Sequence, residues 1–481
     1  MTAGVNTKPI VTTAFLAVVH ILVFVLLVVL MRPHFTTGDL TRTIAALAVV
    51  TALSHGLYSS SKRACALGHV IVAVLCIYLS CCICYQFKLY VGDGPQYSLA
   101  YPSLANDDAR YYQLMLHYLD PSQPSVDARF TTIPVEYPGL SWVAMLLCKV
   151  LGTSVVWIIA LNMLMNVTGM IAVGSLTARL VGGTSREQRR WALLGMGMAC
   201  TLLYMLWMTA RVLKEPASCF GLTLTGYALA GLSRQCRFTW RDSVAFVLGC
   251  LILAIFRTTM LYFVGIALAV MAIDKWRATR QWRTAAVLAL VVVALFVAGN
   301  QFSLHTVDMH KHMATGGRMM QDDFMTTAAQ QPYLRLIGPY FYFSYWKRAL
   351  YLPVTLTVQF LIPFPWGGHG LYESLRRFQW GWYAIGGLSM FYFLFIAWRR
   401  REGIGAWAWW PLLAMVILAY LSAGSVSRYA GIFEAMMIPM AVSTIATVSR
   451  GKHRRALLWW CIGFVIVLAL LLGGCYWYTH R

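Results

Sequence analysis

The segment 106–112 reads Asn-Asp-Asp-Ala-Arg-Tyr-Tyr and contains the residues of this chain whose types and spacing best suit catalysis. Its adjacent carboxylates, Asp107 and Asp108, are able to accept a proton from a reacting hydroxyl group. The segment lies in an acidic, aromatic region, 88–140, of a chain that is otherwise strongly basic. The residue types therefore indicate proton-transfer chemistry in this region.

The same two carboxylates also have a purely structural explanation. Asn106 is a favourable N-cap, so Asp107 and Asp108 would occupy the first turn of a helix that runs to about Leu119. Negative charge is stabilised there by the helix dipole. An amphipathic helix along the membrane surface is predicted. Its apolar residues at helical spacing are Tyr111, Leu114, Met115 and Tyr118.

The composition indicates which elements must hold this region in place. The chain is 59% hydrophobic and 12% charged, its mean hydropathy is +0.64, and apolar runs near the length of a bilayer span recur along it. These features predict an all-α polytopic membrane protein with about 12–14 transmembrane helices in a single domain, 1–481. The first run, 10–31, is longer than the apolar core of a signal peptide and is expected to remain as a helix.

Apolar runs and breaks define the predicted helices. The run 243–273 is too long for one ordinary span, and a break near Arg257 into two short helices is predicted. A stretch at 349–363 is either re-entrant or half of a shorter pair. The other predicted helices are 10–31, 43–59, 64–87, the half-helix 141–152, 154–178, 191–210, 216–233, 284–302, 381–398, 406–424, 429–448 and 456–477.

Lysine and arginine residues predict the orientation of these helices. Basic clusters follow alternate spans, which places the N-terminus in the cytoplasm and the two long loops, 88–140 and 303–380, outside. Most of the net charge of +22 then lies on the cytoplasmic side. Orientation accounts for this charge, and no nucleic-acid-binding motif is present.

The 12 cysteines lie almost wholly within apolar runs. This placement is typical of small core residues, and none of them has zinc-ligand spacing with histidines. Cys82 and Cys84 are close enough in sequence to form a cross-link in an oxidising compartment, which stays open as an alternative.

Four basic residues are not explained by the orientation of the chain. Arg211, Lys214, Arg257 and Arg428 are predicted at or near the outer ends of hydrophobic helices, where charge is costly and is usually functional. They would be suited to surround one phosphate or pyrophosphate. The alternative is that each side chain extends to the lipid headgroups.

Several of these features together resemble the GT-C superfamily of membrane glycosyltransferases. The resemblance rests on the acidic start of the helix at 107, the turn Tyr137-Pro138-Gly139-Leu140, the half-helix ending in Lys149-Val150-Leu151-Gly152, the interrupted helix pair, and Ser427-Arg428-Tyr429 at the start of a helix that contains Pro439. It covers about 88–270 and 425–445. The acidic loop follows the third predicted helix instead of the first, so two helices would be an N-terminal addition.

The resemblance implies an enzyme, an inverting glycosyltransferase that moves a sugar from a polyprenyl-phosphate-linked donor to a glycan, lipid or protein acceptor. The reaction would occur at the extracytoplasmic face, in the setting of a bacterial inner membrane with its periplasmic side. Asp107 or Asp108 would act as general base. The donor phosphate would bind Arg211, Lys214, Arg257 and Arg428. Tyr111, Tyr112 and Trp142 would stack on the sugar, or else anchor the protein at the membrane interface.

Three other functions remain open from the sequence. The segment Arg211-Val212-Leu213-Lys214-Glu215-Pro216 also resembles the Lys-Glu or Lys-Asp turn of bacterial polysaccharide polymerases of the O-antigen or exopolysaccharide type. A flippase or transporter of lipid-linked glycans would likewise be a helical bundle with broken helices and intramembrane arginines. A non-catalytic scaffold is a further alternative.

The second outer loop contains a candidate metal site. Its possible ligands are His305, Asp308, His310 and His312, with Asp322 and Asp323 nearby. Such a grouping is able to bind a divalent cation, and Mg²⁺ or Mn²⁺ would bridge the donor phosphate. The alternative is a set of exposed loop histidines with no fixed geometry. The rest of the predicted site requires no cofactor.

Overall fold

The fold was obtained as a computed structural model that describes residues 16, 18–26, 29, 37–61, 63–91, 107–120, 139–233, 239–279, 282–302, 345–361, 380–397 and 426–479. These residues are 91% helical and include no strand, so the predicted all-α class is confirmed for them. Residues 18–26 are helical. The further helices are α1 (Thr37–Ser59), α2 (Ala66–Val91), α3 (Asp107–Leu119), α4 (Gly139–Leu151), α5 (Val155–Val181), α6 (Ser185–Cys200), α7 (Leu203–Thr209), α8 (Glu215–Ser233), α9 (Trp240–Phe256), α10 (Thr259–Thr279), α11 (Trp282–Phe302), α12 (Tyr345–Leu361), α13 (Trp380–Phe391, continued as a π-helix over Tyr392–Ala397), α14 (Val426–Ser449) and α15 (Arg454–Thr479).

Helix α5 lies at the centre of the bundle. It packs against α1, α6, α8 and α14, and it makes smaller contacts with α2, α4 and α7. Its apolar side chains are therefore buried on most faces, as are those of α14. Helix α15 is peripheral and exposes Trp459, Val465 and Leu470. A lipid environment accommodates apolar side chains on the outside of a helical bundle.

Four helices among the described residues are long and apolar enough to cross a membrane: Thr37–Ser59, Ala66–Gln86, Val155–Val181 and Arg454–Tyr478. Shorter apolar helices accompany them at Gly139–Leu151, Met260–Ala269, Ala286–Leu295, Gly381–Ile396 and Ala435–Ser449. The chain is thus compatible with membrane insertion. The count of about 12–14 crossings and the orientation stay predictions, and the helix predicted at 406–424 lies outside the described residues.

The predicted break at Arg257 is present. Helix α9 ends at Phe256, α10 begins at Thr259, and Arg257 has an extended conformation between them. A different prediction is wrong, because 191–210 does not form one helix. It is divided at Thr201. The Thr201 hydroxyl donates a hydrogen bond to the Met198 carbonyl oxygen, and the Thr201 N–H donates to the Met198 and Ala199 carbonyl oxygens. These local bonds satisfy the end of α6 and allow the chain to turn before α7.

Two ion pairs mark one end of the bundle, at the end of α5 and the start of α6. Arg179 in the last turn of α5 donates to both oxygens of Asp242 in the first turn of α9. Arg450, directly after α14, lies 3.7 Å from Glu187. Since α5, α9 and α14 all reach this end, their opposite ends point to the other side of the bundle. The sequence predicts that the Arg179 end is cytoplasmic.

The described cysteines are all unbridged, including Cys82 and Cys84. Cys76, Cys82, Cys84 and Cys148 are buried. The interpretation of cysteines as small core residues is confirmed for these positions and is wrong for Cys81 and Cys461, which are exposed.

Candidate functional site

Helix α3 begins at Asp107 and ends at Leu119, as predicted, but two of the four apolar residues that predicted its place along the membrane surface are buried in the protein. Tyr111 and Met115 are buried in the core, and α3 packs on α4. The Ser141 hydroxyl of α4 donates to the Tyr111 carbonyl oxygen over 2.9 Å. This packing fixes the helix that carries the acidic pair against the rest of the bundle, so its Tyr111 and Met115 face is not available to lipid.

Asp108 forms the first ion pair of the site. It is 1% exposed, and its Oδ2 accepts a hydrogen bond from Arg211 Nε over 2.8 Å. Arg211 belongs to the turn 210–214, between α7 and α8. A buried carboxylate requires such a partner, because an uncompensated charge in the interior is strongly unfavourable. The pair therefore connects the acidic helix to the basic turn whose Arg211 and Lys214 are predicted to bind the donor phosphate.

Lys214 and Arg257 extend this cluster. Lys214 Nζ lies 5.4 Å from the centre of the Tyr111 ring, within the range of a cation–π interaction. Arg257 Nη1 lies 3.7 Å from an oxygen of Glu215, and both side chains are almost completely buried. Asp108, Arg211, Lys214, Glu215 and Arg257 all belong to the segment 211–215 or form an ion pair with it, and they are called here the charged cluster. Because Lys214 and Arg257 are buried in protein, the alternative that they extend to lipid headgroups is wrong for both.

Two asparagines of α5 hold the turn of the charged cluster. Asn162 Nδ2 donates to the carbonyl oxygens of Arg211 and Leu213, each over 2.9 Å, and Asn166 Nδ2 donates to the Thr209 hydroxyl. Asn162 lies about 10 Å along α5 from Val155, at 1.5 Å per residue. The turn therefore enters the bundle instead of resting on its surface. The Arg211 and Leu213 carbonyl groups, which lie outside regular helix, are satisfied by the Asn162 amide of a helix that is otherwise mostly apolar.

The helix break holds Arg257 at the end of α9. The Arg257 N–H donates to the Leu253 carbonyl oxygen over 2.7 Å, and the Arg257 carbonyl accepts from Met260. Gly139, the first residue of α4, lies directly against the Ile255 carbonyl. Asp242 and Arg257 are separated by about 22 Å along α9, at 1.5 Å per residue. The charged cluster and the Arg179–Asp242 pair consequently lie at opposite ends of the bundle.

Gly139→Ala is expected to destabilise the protein by about 1–3 kcal/mol, as is typical of overpacking. The added methyl group would overlap the backbone carbonyl of Ile255, which a side-chain rotation does not relieve. Thermal unfolding in detergent is the measurement. Gly463→Ala in α15 is the matched control, because nothing lies within 4 Å of the methyl group there. Equal stabilities of the two variants would contradict the close approach of α4 and α9.

Three more of the predicted site residues are Tyr112, Trp142 and Arg428. Tyr112 is half-buried, whereas Trp142 is exposed and contacts Tyr118, with ring centres 6.3 Å apart. Tyr111 is therefore the member of the predicted sugar-stacking set that contacts Lys214 of the charged cluster. Arg428 lies in the first turn of α14, the helix whose other end leads to Arg450. That helix direction places residue 428 towards the charged-cluster end.

Some predictions fall on parts that the structure leaves undescribed. The side chains of Asp107 and Arg428 are among these, although both residues lie in described helices. The candidate metal ligands His305, Asp308, His310 and His312 lie outside the described residues, as do Asp322 and Asp323. Within the described ranges, no three His, Cys, Asp or Glu side chains are grouped so as to hold a metal ion.

Three site residues were not selected from the sequence: Glu215, Asn162 and Asn166. The two asparagines carry a usable signal, since polar residues four positions apart on one face of an apolar helix are costly unless they have partners. Glu215 belongs to the turn noted for its Lys-Glu pair. Its partner Arg257 lies over forty residues away, and no local pattern indicates that pairing.

The chain was also compared with known proteins. No protein-family model matches it, and the search of curated proteins found no match.

Proposed function

We propose that this protein is an inverting membrane glycosyltransferase that uses a polyprenyl-phosphate-linked sugar as donor. The observation that supports the proposal is the charged cluster itself. A carboxylate, Asp108, lies within hydrogen-bond distance of one of the predicted phosphate-binding cations, Arg211, and the cluster also contains Lys214 and Arg257. Residues able to accept a proton and residues able to stabilise a leaving phosphate therefore occur together at one end of the bundle.

The proposed reaction is a single displacement. Asp107 or Asp108 accepts the proton of an acceptor hydroxyl group, and the acceptor oxygen forms a bond to the anomeric carbon of the donor sugar. The bond between that carbon and the phosphate oxygen breaks, so the electron pair leaves with the lipid phosphate. Negative charge then increases on the phosphate, where Arg211, Lys214, Arg257 and Arg428 would stabilise it in a site with little water.

Burial of the cluster is expected to strengthen this stabilisation of the phosphate charge. Arg257 and Lys214 are at most 9% exposed, so they interact with charge in a medium less polarisable than water. Asn162 and Asn166 hold the turn in position before any ligand arrives. A preorganised site of this kind loses little energy in reorientation during the reaction. The acceptor, whether glycan, lipid or protein, stays a prediction from the resemblance.

Reconstitution in liposomes tests the proposal and separates it from its alternatives. Purified protein receives a polyprenyl-phosphate sugar on one side of the membrane, together with a candidate acceptor, and products are analysed by mass spectrometry. New glycosidic bonds with one added sugar are expected. Repeated addition of units would favour a polysaccharide polymerase. Movement of the lipid across the bilayer with no new bond would favour a flippase and contradict the proposal.

A further inference from the structure

The two ion pairs of the charged cluster differ in their geometry. Arg211 and Asp108 form a hydrogen bond of 2.8 Å, within the range expected when both partners are charged. Arg257 Nη1 and Glu215 Oε1 are 3.7 Å apart, which is too long for a hydrogen bond. The second pair is therefore held by charge attraction without the directional bond that strengthens the first.

Glu215 is poorly compensated for a buried carboxylate. It is 2% exposed, and its Oε2 has no hydrogen-bond partner among the residues that the structure describes. Its position in the first turn of α8 supplies some stabilisation through the helix dipole. A buried carboxylate oxygen without a donor nevertheless costs free energy, so such a group calls for an explanation.

Arg257 has a side chain suited to binding an anion. Its guanidinium group has five N–H donors in a planar arrangement that fits two phosphate oxygens at once. The backbone at this residue is fixed by the helix break and by the Thr258 hydroxyl, which donates to the Ala254 carbonyl oxygen. An entering phosphate would therefore meet an arginine whose backbone is fixed and whose carboxylate neighbour is not in hydrogen-bond contact.

We infer that Glu215 is an internal counter-ion that competes with an anionic ligand for Arg257 and thereby sets the affinity of the site. This inference rests on the proposed function in one respect, that a phosphate group binds at the charged cluster. With no ligand, Glu215 offsets the buried charge of Arg257. When a phosphate binds, its oxygens accept hydrogen bonds from the guanidinium group of Arg257. The attraction between Glu215 and Arg257 is then weakened.

The test is Glu215→Gln, which keeps the size of the side chain and removes its charge. Wild type and variant are placed in phosphatidylcholine vesicles, and binding is measured by the shift of thermal unfolding as a polyprenyl phosphate is added. The variant alone should unfold at a lower temperature, because Arg257 loses its counter-ion. Its apparent Kd for the polyprenyl phosphate should fall on the order of tenfold, a typical coupling between two interacting sites.

A parallel titration with inorganic phosphate distinguishes the sources of the ligand charge. An equal gain for both probes would mean that the phosphate group alone competes with Glu215. A gain for the lipid alone would mean that the polyprenyl chain is needed to bring the phosphate to Arg257. Either result supports the counter-ion role.

Asp242→Asn is the matched control. It removes the carboxylate of a buried arginine pair at the opposite end of the bundle, so it should lower stability and leave polyprenyl-phosphate affinity unchanged. Glu215→Asp keeps the charge on a shorter side chain and should give little or no gain in affinity. Adding Arg257→Gln to Glu215→Gln should abolish the gain.

Equal or weaker binding by Glu215→Gln would overturn the inference. If Arg257→Gln weakens polyprenyl-phosphate binding in that situation, the phosphate site of the proposed function still stands and the role of Glu215 alone is wrong. If neither variant changes the affinity, the inference and the phosphate-binding part of the proposal both fail. Glycosyl transfer in the liposome assay then decides separately whether the protein is a transferase.

Discussion

Asp108→Ala should lower the free energy of unfolding by about 3 kcal/mol or more, the cost of removing one partner from a buried ion pair. The reason is that Arg211, whose side chain is only 19% exposed, would keep its charge while losing the hydrogen bond at 2.8 Å. Thermal unfolding followed with a thiol-reactive dye is the measurement. Cys76, Cys82 and Cys148 are free and buried in the native state, so their reaction with the dye reports unfolding as an increase above the native signal of the exposed Cys81 and Cys461.

Asp39→Ala provides the control for Asp108→Ala. Asp39 lies 3.8 Å from Arg42 in a pair whose side chains are 29% and 43% exposed, so the expected loss is at most about 1 kcal/mol. A second comparison replaces both partners, with Asp108→Leu and Arg211→Met. The double variant should be more stable than Asp108→Ala, since the charge of Arg211 is removed together with that of its carboxylate. Similar losses for Asp108→Ala and Asp39→Ala would show that the Asp108–Arg211 contact contributes little.

The second large effect concerns turnover. Asp107→Asn or Asp108→Asn should lower the rate of sugar transfer by about 10²–10⁴-fold, the usual contribution of a general base. Asparagine has the shape of aspartate and is still able to accept a hydrogen bond from Arg211, but it does not take up a proton. Initial rates with a polyprenyl-phosphate sugar in liposomes give the measurement, and donor affinity is measured in the same preparations. The residue that acts as base should show the larger loss in rate with nearly unchanged donor affinity.

Asp120→Asn is the control for these two variants, because Asp120 follows the opposite end of α3. Its transfer rate should equal that of the wild type. Unchanged product formation in both Asp107→Asn and Asp108→Asn would exclude a general base in this pair. A loss of donor affinity equal to the loss in rate for Asp108→Asn would instead assign Asp108 to the positioning of Arg211.

The structure changes how the basic residues of the charged cluster are understood. From the sequence, Arg211, Lys214 and Arg257 were predicted at the ends of hydrophobic helices, and lipid headgroups would have been a sufficient partner. Instead, Lys214 and Arg257 are buried, and Arg211 pairs with Asp108. Interior cations retain more of their interaction energy than exposed ones, because water screens them less. This difference supports a role for the cluster in binding an anion.

The sequence by itself determined the all-helical class, the start of α3 at Asp107 and the break at Arg257. Hydropathy, helix capping and the length limit of an apolar run act over a few turns of chain, so they can be seen in consecutive residues. The tertiary structure alone decided that Asp108 contacts Arg211, that Glu215 faces Arg257 and that Asn162 holds the turn between α7 and α8. Those contacts join residues that are far apart along the chain, and only the packing of α3, α5, α8 and α9 brings them together. The division of 191–210 into α6 and α7 was not predicted from the sequence, for a different and local reason. Its apolar residues suit one span equally well, while the local bonds of Thr201 end the first helix.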